Sequence, residues 1–208
     1  MRRETIDGVS IIRVPLYPSH DGSSLKRILN YVSFSVSAAL LGPFLVKPAD
    51  VMYVYHPPAT VAFPAIMLKL LRRIPVVYDI QDLWPDTLFS SGMINSRFML
   101  YCVGLWCKLV YKVVDHLIVL SPGFKKVLLA RGVATEKVSI IYNWCDEAQL
   151  RPQAGSETVS LEPRMAGRFN VLFAGTMGKA QALDAVLKAA GIVAARNPAV
   201  QFVFVGGG

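Results

Sequence analysis

The sequence predicts a doubly wound α/β fold followed by the opening of a second α/β unit. Three observations carry this. Short β-branched runs alternate with helical stretches from residue 8 to residue 142. One such run, Pro75–Tyr78, turns abruptly into Asp79, Gln81 and Asp82, a buried strand delivering carboxylates into a loop, which is where open α/β sheets bind their ligands. Residues 146–168 then lose all apolar period before a fresh strand begins at Phe169.

Taken in order, Gly8–Val14 alternates and is β-branched, so it reads as a strand. Ser23 or Ser24 caps a helix to about Leu41, which Gly42-Pro43 should stop. Val51–Tyr55 is a strand closed by His56-Pro57-Pro58, and a helix covers about Ala59–Arg73 with its basic residues at the C-terminal end, where the dipole favours them. Strand Val76–Tyr78 leads into the acidic loop, and Pro85 holds Trp84 out of helical geometry. Asn95 or Ser96 caps a long helix to about Val114. Strand His116–Leu120, a helix started by Ser121-Pro122 and running to Arg131-Gly132, and strand Val138–Tyr142 complete the series. Helical spacers of this length imply parallel pairing through right-handed crossovers.

The polar stretch 146–168, with Pro152, Gly155, Ser156, Pro163 and Gly167, reads as a linker. The expected division is a first domain over 1–145, the linker, and the start of a second domain over 169–208: strand Phe169–Ala174, the turn Gly175–Lys179, a helix to about Arg196, and strand Val200–Val205. A single βαβ unit has bare edges and faces. The sequence is therefore read as an internal piece of a two-lobed protein whose first strand and glycine loop are missing.

The chain has 208 residues, 53% of them hydrophobic and 17% charged, which supplies a core and excludes a disordered chain. A formal charge of +8 favours anionic partners. No aromatic-interleaved basic stripe accompanies it, so no nucleic-acid partner is expected. Cys102, Cys107 and Cys145 form no CxxC and imply neither a metal site nor a disulfide framework, which fits a reduced cytoplasmic compartment. Met1-Arg2-Arg3 leads into Glu4 and Asp7, unlike a secretory signal. Tyr31–Val46 and Phe98–Val114 are apolar but interrupted, short of the roughly 20 residues of a spanning helix. Either could lie on a membrane surface or pack as an ordinary helix.

Three loops carry chemistry. His56 at a strand end could serve as acid, base or sugar-hydroxyl ligand, or simply as a loop residue. Asp79, Gln81 and Asp82 follow the next strand, with Trp84 beside them and Asp86 in the role of a helix cap. In the third, glycines between strand and helix let the backbone approach a phosphate, and Lys179 adds a charge the helix dipole alone would disfavour. The pattern is neither GxGxxG nor GxxxxGK[ST], and a plain tight turn explains it equally well.

Three passages, PVVYDIQDLWPD, VDHLIVLSPGFKKVLLARGVATEKVSIIYNWCD and FNVLFAGTMGKAQALDAVLKAA, resemble the bacterial family-4 glycosyltransferases of GT-B architecture. The branch they most resemble builds colanic acid, O-antigen and capsular polysaccharide, where the D-L-W-P tetrapeptide recurs. The resemblance implies two Rossmann-like lobes and sugar transfer from a UDP- or GDP-sugar to a lipid-linked saccharide. It also implies retention at the anomeric carbon, no metal or other cofactor, and work at the cytoplasmic face of the membrane.

On the same resemblance Asp82 and Gln81 face the cleft between the lobes; with Asp79 they form the candidate catalytic set, and His56 and Trp84 are the candidate substrate contacts. Gly175, Thr176, Gly178 and Lys179 lie at the donor diphosphate. The sequence departs from the family in having Gln81 where many members have histidine, and Thr176 where a basic residue often follows the first glycine. The N-terminal glycine loop and the E-x7-E motif are missing as well. The expectation that follows is that the 208-residue chain has no turnover by itself. A non-catalytic basic module binding an anionic partner or membrane surface is the alternative.

Overall fold

The computed structural model describes residues 1–19, 24–148 and 165–207. They form two compact units, Met1–Phe89 with Met93–Asn143, and Ser90–Gly92 with Trp144–Gly208. Ser23 and most of the stretch read as a linker, including Pro152, Gly155, Ser156 and Pro163, lie outside the described residues, as does Gly208.

The first unit opens with a hairpin of β1 (Arg2–Ile6) and β2 (Val9–Arg13), antiparallel with Ile6 opposite Val9. Asp7 and Gly8 both have positive φ, 50° and 81°, as a two-residue I′ turn requires. This corrects the expectation for Gly8–Val14: the strand is real, but it pairs with Arg2–Ile6 and stands outside the parallel sheet.

Helix α1 (Ser24–Leu45) runs straight through Gly42-Pro43, where the sequence predicted its end. The reason lies in another helix. Arg72, near the end of α2 (Ala62–Arg72), donates to the carbonyls of Pro43 and Val46, the latter at 2.8 Å, satisfying acceptors that helix ends leave open. The extra turn makes Leu25–Leu45 long and apolar enough, at mean hydropathy 1.6, to cross a membrane by length and composition. Its inner side is nevertheless committed to the unit. Ala39 and Ser35 are buried, and the Ser35 hydroxyl donates to Thr60 O at 2.7 Å.

The sheet comprises β3 (Met52–His56), β4 (Val76–Ile80), β5 (His116–Val119) and β6 (Val138–Ile140), parallel and ordered β3-β4-β5-β6. Its crossovers are α2, preceded by a 3-10 turn at Ala59–Val61, then α4 (Arg97–Val113) and α5 (Pro122–Ala130). A short α3 (Asp86–Ser90) precedes α4. Ser96 and Ser121 cap α4 and α5, accepting from Met99 N and Phe124 N. Right-handed crossovers stepping in one direction put these helices on one face. There Val76, Tyr78, Ile80, Leu117 and Val119 build the core together with Leu128 and Val110. Alternate positions on the opposite face, Tyr53 and Tyr55, are exposed.

Asp115 ties the lower ends of the strands. Its carboxylate pairs with Lys69 and accepts from Val76 N at 2.7 Å, while its own N–H donates to Val76 O. Burial opposes the charge, but the Lys69 ammonium and the Val76 N–H outweigh it and hold the carboxyl below its ordinary range. Asp115→Ala should cost about 1–2 kcal/mol, a figure reduced for its partial exposure. Urea denaturation followed by tryptophan fluorescence would show this as a lower midpoint.

The second unit carries β7 (Phe169–Ala174) and β8 (Val200–Val205), parallel and in register from Phe169↔Val200 to Ala174↔Val205, joined by α6 (Leu183–Arg196).

Candidate functional site

The chemistry-bearing residues of the first unit gather at the carboxyl ends of β3 and β4. Parallel register places Tyr55 opposite Asp79 and His56 opposite Ile80, and Gln81 N–H donates to His56 O at 3.0 Å. Asp79 and Asp82, grouped by the sequence, occupy different environments. Asp79 is buried, 3% exposed, on the sheet face opposite Tyr78. The Gln81 amide donates to both of its carboxylate oxygens at 2.9 Å, and the Tyr53 hydroxyl donates to one of them. That hydrogen bond, with burial and the Asp79 charge, pushes the Tyr53 phenol up to about 12. Asp79 is thus an anchor for Gln81 and Tyr53. Asp82 is half-buried beyond the strand end, and burial pushes its carboxyl above the ordinary carboxylate range. A carboxyl that is accessible and raised in this way suits proton transfer.

His56 and Trp84, nominated as substrate contacts, are core residues as placed, 2% and 9% exposed, with Trp84 edge-on to the imidazole at 5.5 Å. The His56 Nδ1 and the Tyr78 hydroxyl find no hydrogen-bond partner among the described residues. Burial lowers the His56 imidazole to about 4 and raises the Tyr78 phenol. His56 is therefore neutral at physiological pH, and its ring supports the Trp84 loop from below.

Two residues at this site escaped the sequence reading. Tyr53 was no more than a position inside the Val51–Tyr55 strand, and its bond to Asp79 depends on strand order. Arg131 read as a helix-end charge, yet it donates to Trp84 O at 2.8 Å and pairs with Asp86. That clamp fixes both ends of the Trp84–Asp86 turn. Asp86 is the first residue inside α3, not the cap before it, and its carboxylate pairs with Arg131.

In the second unit, Gly175 N–H donates to Val205 O, Met177 N–H to Gly207 O and Gly178 N–H to the Gln181 side chain, at 2.9–3.0 Å. The turn is thereby held to the end of β8. Gly206, at φ +152°, must be glycine, since a Cβ there would stand 1.8 Å from Gly175 O. Lys179 is not at the start of the long helix, as the sequence suggested. It opens a separate 3-10 turn, Lys179–Gln181, and α6 begins only at Leu183 with Asp184 suiting the dipole. The Thr176–Lys179 backbone and the exposed Lys179 ammonium form one end of this unit.

Among the described residues no cluster of His, Cys, Asp or Glu could hold a metal. An apolar groove of about 350 Å³ between α1, β3 and the hairpin, lined by Ile12, Phe34, Val54 and Leu68, contains none of these carboxylates.

Comparison with known proteins bears on the family and the fold. The description of a glycosyl transferase 4-like domain matches residues 1–144. Over 208 residues the chain is 26% identical to a protein of Escherichia coli strain K12 named as a colanic acid biosynthesis glycosyl transferase, WcaI, covering 96% of this chain and 50% of that protein. Over 100 residues it is 29% identical to the alpha-galactosylglucosyldiacylglycerol synthase of Streptococcus pneumoniae, covering 47% and 26% of the two chains. A crystal structure of Anabaena Alr3699/HepE in complex with UDP and glucose superposes at TM-score 0.60 and 16% identity, over 91% of this chain and 46% of that one. That likeness shows the GT-B type of α/β fold. The chain spans about half the length of the relatives it matches along most of its extent.

Proposed function

The chain belongs to the glycosyl transferase 4-like family, and on that premise we propose that it transfers a sugar from a nucleotide-sugar to a lipid-linked saccharide during surface polysaccharide assembly. The observation that carries the reading is Asp82, a half-buried carboxyl with raised proton affinity at the carboxyl end of a central parallel strand. Asp82 takes the proton of the acceptor hydroxyl as that oxygen bonds to the anomeric carbon. The acceptor oxygen arrives on the face from which the diphosphate departs, so configuration is retained as the carbon–diphosphate bond breaks and the electron pair leaves on the nucleotide diphosphate. Asp79, through Gln81, positions the loop that carries Asp82. His56 and Trp84 pack beneath that loop.

Lys179 and the Gly175–Gly178 backbone meet the charge on the departing diphosphate, as preorganised donors do in acyl and phosphoryl chemistry. No metal or other cofactor takes part in this scheme. The donor is UDP-linked, with GDP-linked sugar as the second candidate. The UDP and glucose bound in the Anabaena neighbour support the first. The protein works peripherally on the cytoplasmic face of the membrane, where its acceptor lies.

Titration calorimetry with UDP-glucose tests the donor side. Saturable binding that Lys179→Ala weakens about tenfold is the expected result, in keeping with one charge-assisted contact. Affinity that collapses with salt, as counterion release dictates for surface-charge binding, would favour the basic-module alternative instead.

A further inference from the structure

Different elements hold the two ends of the loop that carries Asp82. At its start the Gln81 amide donates to the Asp79 carboxylate, and the Gln81 N–H donates to His56 O. At its far end the tie comes from α5. Arg131, the residue that closes that helix, donates to Trp84 O at 2.8 Å and pairs with the Asp86 carboxylate. Trp84 in turn donates its N–H to Asp82 O at 3.2 Å, so the guanidinium reaches the Asp82 backbone through one residue. Burial acts on the Asp82 carboxyl, and no donor or charge among the described residues does. The place of that carboxyl therefore depends on the loop backbone, and its proton affinity on how closely the loop packs.

We propose that Arg131 is a positioning residue for Asp82: its fork, bonded to Trp84 O and Asp86, holds the 82–86 turn against the core and so keeps the Asp82 carboxyl half-buried and aimed at the acceptor hydroxyl. The surroundings of Arg131 suit this role. Its side chain is 19% exposed. Cys107 and Tyr111 of α4 face it as neutral groups, both kept protonated by burial. Lys108, Lys112 and Lys137 share its groove, and like charges there favour the guanidinium's keeping to the Trp84 side. Asp86 is 69% exposed, so the ion pair alone adds little to stability. What the pair adds is orientation, since a planar guanidinium can hold a carboxylate and a carbonyl at once. The inference rests on the transferase reading for the role of Asp82, but the positioning is measurable without turnover.

Carbon-13 NMR of the full chain, labelled at its aspartate carboxyls, reads the Asp82 titration directly, with Asp82→Asn to assign the resonance. In the wild type Asp82 should titrate above the ordinary carboxylate range. Arg131→Gln and Arg131→Lys should both bring it back towards that range, because neither side chain can hold Trp84 O and Asp86 together. Arg131→Lys keeps the charge and the aliphatic stem, so it tests the fork apart from the charge. An arginine acting through its charge alone would give the opposite pattern: Asp82 pushed higher still in Arg131→Gln and unmoved in Arg131→Lys.

That pattern would overturn the proposal. So would a lowered denaturation midpoint with the Asp82 titration of the folded molecules unchanged, which is what a purely structural arginine gives. In whichever form of the protein turns over, Arg131→Lys should lower kcat about 10–100-fold, with the nucleotide-sugar KM within about twofold, as a small misplacement of a reacting group does. The acidic limb of its rate profile should move with the NMR titration. A titration that moves while kcat holds would uphold the positioning and count against Asp82 as the base, which keeps failure of the transferase reading distinct from failure of the clamp.

Discussion

In whichever form of the protein turns over, Asp82→Asn is expected to slow sugar transfer by about 10²–10⁴-fold, the usual contribution of a positioned general base. The nucleotide-sugar KM should change little, because Asp82 belongs to the first unit and the donor loop to the second. Asparagine keeps the shape and removes only the proton acceptor, so the loss should fall on kcat. Burial raises the Asp82 carboxyl, and the base must be ionised to act. The acidic limb of the rate profile should therefore lie above the ordinary carboxylate range, with activity falling as pH drops through the raised value. In Asp82→Asn that limb should vanish. An equal loss in Asp82→Asn and in an exposed carboxylate control, with the limb unmoved, would remove Asp82 from the chemistry.

His56 should make stability fall in mild acid. Its imidazole is lowered to about 4 in the folded chain by burial, against about 6.5 in an unfolded one. Above that unfolded value both states hold the neutral ring, and His56 contributes no pH dependence. Below it the unfolded chain binds a proton the folded one refuses, so folding weakens as pH falls. The decline ends only near the folded value. Across that window the loss is about 3 kcal/mol, of which about 2 kcal/mol has gone by pH 5. Denaturant midpoints at pH 7 and pH 5 measure the difference, and His56→Gln should flatten it even if its stability at pH 7 is lower. A wild-type midpoint that holds steady between the two would contradict the buried, unpartnered placement of this ring.

Much of the fold was legible because its signals are local. The β-branched runs at Val76 and Phe169, the Ser121-Pro122 start and the Ser96 cap all specify their elements from neighbouring residues. The failures trace to distant partners. The end of α1 was misjudged because Arg72, far along the chain, satisfies the carbonyls beside Pro43. The first strand went unrecognised because Arg2–Ile6 has no apolar run, although the Asp7-Gly8 turn that pairs it was in plain view.

At the site, the position of Asp82 followed from the strand–loop pattern, and the role proposed for it rests on the D-L-W-P resemblance. The division of labour between Asp79 and Asp82 did not. It depends on Tyr53 of one strand reaching the carboxylate of the next, which becomes visible only with the register. His56 and Trp84 looked like ligands because they stand at strand ends beside polar residues. In three dimensions they fill one another's apolar surroundings.

The most direct measurement is the mass spectrum of lipid-linked saccharides in cells lacking this gene. If the chain serves in sugar transfer, those lipids should be shorter by one sugar residue. The gene should restore the missing residue, and its Asp82→Asn form should not. Saccharide lipids unchanged by the deletion, or restored equally by the Asp82→Asn form, would contradict the proposed function.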